Sequence, residues 1–188
     1  IMAKRVQKDD VYRELRAQLS RMDSLGLVPS HFDSHQHIHA FPPVFEVLAA
    51  EASSRSIPVR LPVRWPGRPV RSSFRRRAST FLLGALVNSC RRRHGSHLRT
   101  NDGLCSVFDL GVRPEEISED SYARLLSAYS GGVVELMVHP ARVDAELASL
   151  TEISAVSAVE QRLLCTDLLR RVAFSRGARL CSYRDAWK

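Results

Sequence analysis

The chain has 188 residues, 44% of them hydrophobic, and carries 28 Lys and Arg against 20 Asp and Glu, a formal charge of +8. That length suits one domain with a real core, and with no run of about 18 apolar residues it excludes a membrane-spanning helix. None of the four cysteines forms a Cys-x-x-Cys pair, which argues against a zinc knuckle or dithiol motif and for free thiols in a reducing compartment.

The charge is local. Eleven arginines and no Lys, Asp or Glu lie between Arg60 and Arg99, and the remaining 17 basic side chains face 20 acidic ones. The start, Ile1-Met2-Ala3-Lys4-Arg5, is polar rather than a secretory signal, and a first residue of Ile suggests chain upstream.

In chain order, Asp9 or Asp10 can cap a helix running to about Leu25, with Val11, Leu15, Leu19, Met22 and Leu25 as its apolar face and Gly26 as its end. His31 to Asp33 reads as a short strand. Pro42-Pro43 opens a helix over Val44 to Ser54. Pro58 to Leu61 is a second strand, followed by a Pro/Gly loop and a helix from Ser73 to His94. Leu98 to Thr100 and Leu104 to Phe108 read as extended, and Asp120 to Tyr129 as a helix. Val133 to Val138 is the clearest strand, and an apolar one. A long helix follows over Val156 to Ser175, and Arg179 to Tyr183 closes as a last strand. The alternation predicts an α/β fold on parallel strands, with sites just after the strands.

Two groups of residues point to chemistry. Four of the seven histidines fall in Ser30-His31-Phe32-Asp33-Ser34-His35-Gln36-His37-Ile38-His39. Extended backbone would put His35, His37 and His39 on one face, a possible metal or proton-transfer site; the alternative is a solvated loop. Asp33 could hold a ligand histidine's second ring nitrogen or cap the loop. In Glu135-Leu136-Met137-Val138-His139-Pro140, Glu135, Met137 and His139 share a strand face. His139 is either a general acid or base or a locally bonded strand-end histidine. In the basic segment, Arg75-Arg76-Arg77 and Arg91-Arg92-Arg93 bracket Phe81 to Val87. It reads as a solvated helix with one buried face, an anionic-membrane surface or a nucleic-acid contact, though it lacks the aromatic interleaving that base stacking needs. Arg99-Thr100-Asn101-Asp102-Gly103 suits a turn.

These residues resemble the YdjC-like carbohydrate deacetylases. The resemblance rests on His31 to His39, Val59-Arg60-Leu61-Pro62, Glu135 to Ala141, and Gly177 to Tyr183. Leu98 to Asp102 looks most like a hopanoid-biosynthesis-associated subgroup. The resemblance implies a distorted (β/α) barrel of the polysaccharide-deacetylase type and metal-dependent hydrolysis of an N-acetyl group on an amino sugar, free or lipid-linked. It implies a divalent metal, Mg or Zn, held by one Asp and two His. His35 matches one ligand, and neither of the other two has a match in the chain. His139 is then the catalytic acid, His37, His39 and Arg60 line the sugar site, and Asp33 or Glu135 orients a histidine. The whole chain, 1–188, is accordingly expected to be the C-terminal portion of one deacetylase domain lacking its first βα segments, with weak or no metal binding and activity. A cytoplasmic location with contact at the inner membrane surface is expected, with a homodimer and no specific nucleic acid as partners. The competing class is a non-catalytic protein that binds anionic lipid or nucleic acid through Arg60–Arg99.

Overall fold

The computed structural model describes residues 6–63, 65–71, 74–94 and 97–187, with backbone only at 74–77, 79 and 80. The polar start at Ile1–Arg5, the predicted helix start at Ser73 and the side chains of Arg75–Arg77 lie outside this description. The chain forms two compact units. One comprises Ile1–Val63, Ala78–Asp102 and Cys181–Lys188; the other comprises Arg64–Arg77 and Gly103–Leu180.

In the first unit, α1 (Lys8–Ser24) packs against α2 (Pro42–Arg55). Asp9 and Asp10 do not cap α1. They sit inside its first turn, where carboxylates favour the helix dipole, and Gln7 occupies the capping position without a side-chain bond. Gly26, at φ +68°, turns the chain so that the amides of Gly26 and Leu27 bond back to Asp23 and Met22. The proline at the start of α2 replaces an amide that would have no helical partner. Leu19 of α1 and Phe45, Leu48, Ala49 and Ala52 of α2 form one core with Phe32, Ile57, Val59, Leu61, Val87 and Cys90. Val87 and Cys90 come from α3 (Phe74–His94).

The three strands predicted here contract to single parallel bridges, Phe32 to Val59 and Val59 to Thr100. Their order is kept by Phe32 N–H to Pro58 C=O at 2.8 Å, Arg60 N–H to Phe32 C=O at 2.9 Å and Val59 N–H to Arg99 C=O at 2.9 Å. The predicted closing strand at Arg179–Tyr183 does not form. Residues 179–182 are exposed, and the chain turns instead through Asp185 N–H to Ser182 C=O.

In the second unit, β1 (Gly103–Cys105) pairs in parallel with β2 (Val134–Leu136), Leu104 opposite Glu135. β1 is buried. β2 is only half-buried, although its Val-Val-Glu-Leu-Met-Val sequence predicted a buried strand. The predicted extension of β1 to Phe108 is overridden at Ser106. Its amide donates to Asp109 Oδ2 at 2.8 Å and opens α4 (Val107–Leu110). Gly111 ends α4 at φ +64°, and a Cβ there would lie 1.9 Å from the Arg71 carbonyl oxygen.

α5 (Glu119–Ser127), α6 (Ala145–Leu150), α7 (Ser154–Leu164) and α8 (Leu168–Ser175) complete the unit. The single helix predicted over Val156–Ser175 is two. Thr166 Oγ1 donates to the Leu163 carbonyl at 2.7 Å and accepts from the Leu168 amide at 3.2 Å, so a side chain takes the place of ladder bonds between α7 and α8. The core joins Trp65, Cys105, Val107, Leu110, Tyr122, Leu125, Leu168 and Val172. The architecture is thus mixed α/β with parallel pairing, as expected. Strand pairing among the described residues stops at these two short sets, and neither unit closes a barrel by itself.

All four cysteines are free thiols, as expected; Cys90 and Cys105 are buried, and Cys165 and Cys181 exposed.

Candidate active site

The histidine cluster is not extended. His35–Ala40 is a short 3-10 helix in which Gln36 (φ 51°, ψ 27°) and His37 (φ 59°, ψ 29°) are both left-handed. Two successive non-glycine residues there cost roughly 1–2 kcal/mol each, so something must hold them. His39 does. It is fully buried; its backbone amide donates to Ser34 Oγ at 2.9 Å, and its Nδ1 lies 2.7 Å from the same oxygen. Its Nε2 lies 2.7 Å from the Arg60 carbonyl oxygen. A carbonyl only accepts, so Nε2 carries the proton, Nδ1 is the acceptor, and the Ser34 hydroxyl donates to it. Burial lowers the His39 pKa, more than the bond to the Arg60 carbonyl raises it, consistent with a neutral ring.

The predicted alternation of His35, His37 and His39 on one face is therefore corrected. His39 points into the fold with both ring nitrogens engaged, and lines no open site. His35 is exposed and His37 half-buried, its ring edge-on to His39 at 6.3 Å. His31 is also partnered: it stacks on Tyr183 at 4.0 Å, and its Nδ1 lies 3.0 Å from Ser30 Oγ. Asp33 forms an ion pair with Arg60, whose side chain is 17% exposed. The carboxylate expected to orient a histidine here instead fixes an arginine. The peptide at Arg60–Leu61 is clamped on its other side by Asn101. Oδ1 of Asn101 accepts from Leu61 N–H and Nδ2 donates to the Leu61 carbonyl. The turn expected at Asn101-Asp102-Gly103 thus begins with a fully buried amide bracket.

His139 lies in the second unit and is built separately. β2 ends at Leu136, so the strand face shared by Glu135, Met137 and His139 does not extend to the histidine. The carboxylate that reaches His139 is not Glu135 but Glu160 of α7. Its Oε2 accepts from the His139 amide at 2.6 Å, and its Oε1 accepts from the Tyr122 hydroxyl at 3.2 Å. Glu160 is 0% exposed. The His139 ring lies edge-on to Phe108 at 5.3 Å, and its buried Nδ1 has no hydrogen-bond partner among the described residues. Glu160 carries a signal in the sequence: Val156, Val159, Glu160 and Leu163 share one helical stripe, and an acid on an apolar stripe needs a partner.

Among the described residues, no group of three or more His, Cys, Asp or Glu could hold a metal ion. The described side chains do not by themselves fit the divalent metal that the resemblance implies.

The chain belongs to the YdjC-like protein family, whose family model it matches over residues 1–173. It is 29% identical over 183 residues to a carbohydrate deacetylase of Geobacillus stearothermophilus, covering 97% of this chain and 62% of that protein. It is 27% identical to a chitooligosaccharide deacetylase of Yersinia enterocolitica, covering 94% of this chain and 61% of the relative. Identity to a chitooligosaccharide deacetylase of Salmonella paratyphi B is 31% over 171 residues, 82% of this chain and 58% of that one. The chain thus spans about three-fifths of the length of these curated relatives. Its fold is similar to that of an Enterococcus faecalis V583 protein provisionally named as a cellobiose-phosphate cleavage protein, with a TM-score of 0.67 at 24% identity over 97% of this chain and 62% of that one.

Proposed function

We propose that this chain supplies the sugar-contacting and proton-donating part of a hydrolase that removes the acetyl group from an N-acetylated amino sugar. The observation that carries this reading is the family match over 1–173, together with relatives named carbohydrate and chitooligosaccharide deacetylases. In it, His139 protonates the departing amine as the amide C–N bond breaks. That role needs a proton carrier on a fixed backbone, and the Glu160 bond to its amide supplies the fixed backbone. Arg60, held by Asp33 and partly exposed, and His37 contact sugar hydroxyls. His39 acts indirectly, setting the conformation from which His35 and His37 project. His35 is this chain's one assigned ligand to a divalent metal. Since no set of three ligands stands among the described residues, the reading includes weak or no metal binding by this chain itself and little turnover. A glycosylated hopanoid is the finer substrate, on the likeness of Leu98–Asp102 to that subgroup.

Sugar binding and turnover test the two halves separately. Titration of the chain with N,N′-diacetylchitobiose, followed by protein NMR, should perturb the His37 resonances, and Arg60→Ala should weaken the binding. Absence of any perturbation would overturn the sugar reading. Metal content and acetate release on the same preparation should both be low; tight stoichiometric metal with turnover would overturn the claim of incomplete coordination.

A further inference from the structure

α3 presents one exposed stripe. Ala78, Phe81, Leu82, Ala85, Asn88 and Arg92 recur at helical spacing and are all exposed, whereas Val87 and Cys90 enter the core of the first unit. Phe81 is 76% exposed and Leu82 58%. Two large adjacent apolar side chains this open to water favour a partner.

The charge around the stripe narrows what the partner is. Part of the arginine charge in Arg60–Arg99 is neutralised within the fold: Arg60 on Asp33, Arg71 on Glu116 at 3.0 Å, and Arg93 near Glu46 at 3.6 Å. Arg91 is held at the Asn101 carbonyl at 2.9 Å. Arg92 is exposed at the C-terminal end of the stripe. Positions 75–77, about one to two turns before Phe81, are all arginine, and the segment contains no acid.

A second copy fits this poorly. Symmetric pairing through Phe81 would bring arginine-flanked helices together with no acid in the segment to offset them. Nucleic acid would use the arginines but leave Leu82 unsatisfied and find one aromatic ring where a stacking platform needs several. An anionic lipid surface uses both features, taking apolar side chains at the headgroup boundary and arginines at the phosphates. We infer that α3 docks on an anionic lipid surface through Phe81 and Leu82, with the exposed Arg92 on the lipid phosphates. This inference does not rest on the deacetylase reading.

The test is sedimentation of the 188-residue chain with vesicles of phosphatidylcholine containing about 30 mol% phosphatidylglycerol, against phosphatidylcholine alone. Binding is expected only to the anionic vesicles, and it should fall as salt rises from about 50 to about 300 mM. F81S/L82S should weaken partitioning about tenfold, and Arg92→Glu, which leaves the apolar pair intact, about fivefold. Both changes are at exposed positions, and matched thermal midpoints would confirm that the fold is kept. No anionic-vesicle binding, or binding that F81S/L82S leaves unchanged, would overturn the inference. So would a dimer that F81S/L82S dissociates without altering vesicle binding, or duplex DNA binding in the absence of vesicle binding.

Discussion

The Asn101 side chain occupies both main-chain groups of Leu61, accepting from its amide at 2.6 Å and donating to its carbonyl at 2.9 Å. Leu61 is itself in the core. One amide side chain therefore does here what an adjacent strand would otherwise do, at a place where strand pairing is down to single bridges. Asn101→Ala leaves the buried Leu61 N–H without its partner, while the Leu61 carbonyl keeps the Val63 amide at 2.8 Å. The expected loss is about 1–3 kcal/mol, read as a lower urea midpoint at unchanged slope. Asn101→Asp should cost at least as much, since it keeps the acceptor but loses the donor and buries a charge.

His39 makes stability depend on pH. Burial depresses its pKa below the 6.5 expected of the unfolded chain. As pH falls below that value the unfolded state takes up a proton that the folded state resists, so folding is weakened in acid. The contribution is fully present above about pH 6.5 and is lost toward the lower folded pKa, at up to about 1.4 kcal/mol per pH unit. Urea denaturation between pH 5 and pH 7.5 should show this slope. His39→Gln should flatten it while lowering stability at pH 7.5.

Glu160 binds the His139 amide and the Tyr122 hydroxyl from a fully buried position. Glu160→Ala leaves both donors unsatisfied and should cost about 3 kcal/mol, whereas Glu160→Gln keeps an acceptor for the amide and should cost about 1 kcal/mol. Loss of one hydrogen bond should also appear in amide exchange. In Glu160→Ala the His139 amide should exchange faster, while amides of α1 and α2 in the other unit keep their local rates.

The thiols divide by depth. Burial pushes Cys90 up to about 11 and Cys105 up to about 12, and both are inaccessible, while Cys165 and Cys181 are exposed. At pH 8 a disulfide reagent should therefore titrate two thiols quickly and the other two only when denaturant is added.

The sequence made the parallel α/β order readable because turn residues and apolar periods punctuate it: Gly26, Pro42-Pro43 and Gly177 lie at or next to helix ends where local chemistry dictates them. Element type failed where a side chain redirected the backbone. Ser106 and Asp109 turned an apolar stretch into α4, and Thr166 divided a helix whose apolar period runs on unbroken. The candidate residues were legible as chemistry, not as placement. Alternation of His35, His37 and His39 presumed extended backbone, and nothing local announces two left-handed residues in Gln36-His37; the cause is the long-range bond from His39 to Arg60. Glu160 was legible in principle, as an acid on the apolar face of α7, but its partners Tyr122 and His139 lie 38 and 21 residues away.

The tautomer of His39 limits what the histidine-rich stretch can do as a chelator. One of its nitrogens carries a proton directed at a carbonyl and the other's lone pair is taken by a hydroxyl, so the ring has no electron pair to offer a metal while the chain is folded. Stacking against Tyr183 and the contact with Ser30 likewise commit His31. A stretch that looks like an affinity tag therefore presents mainly His35 and His37. The folded chain should be retained weakly on immobilised nickel, and retention should rise in urea, where all four imidazoles are released.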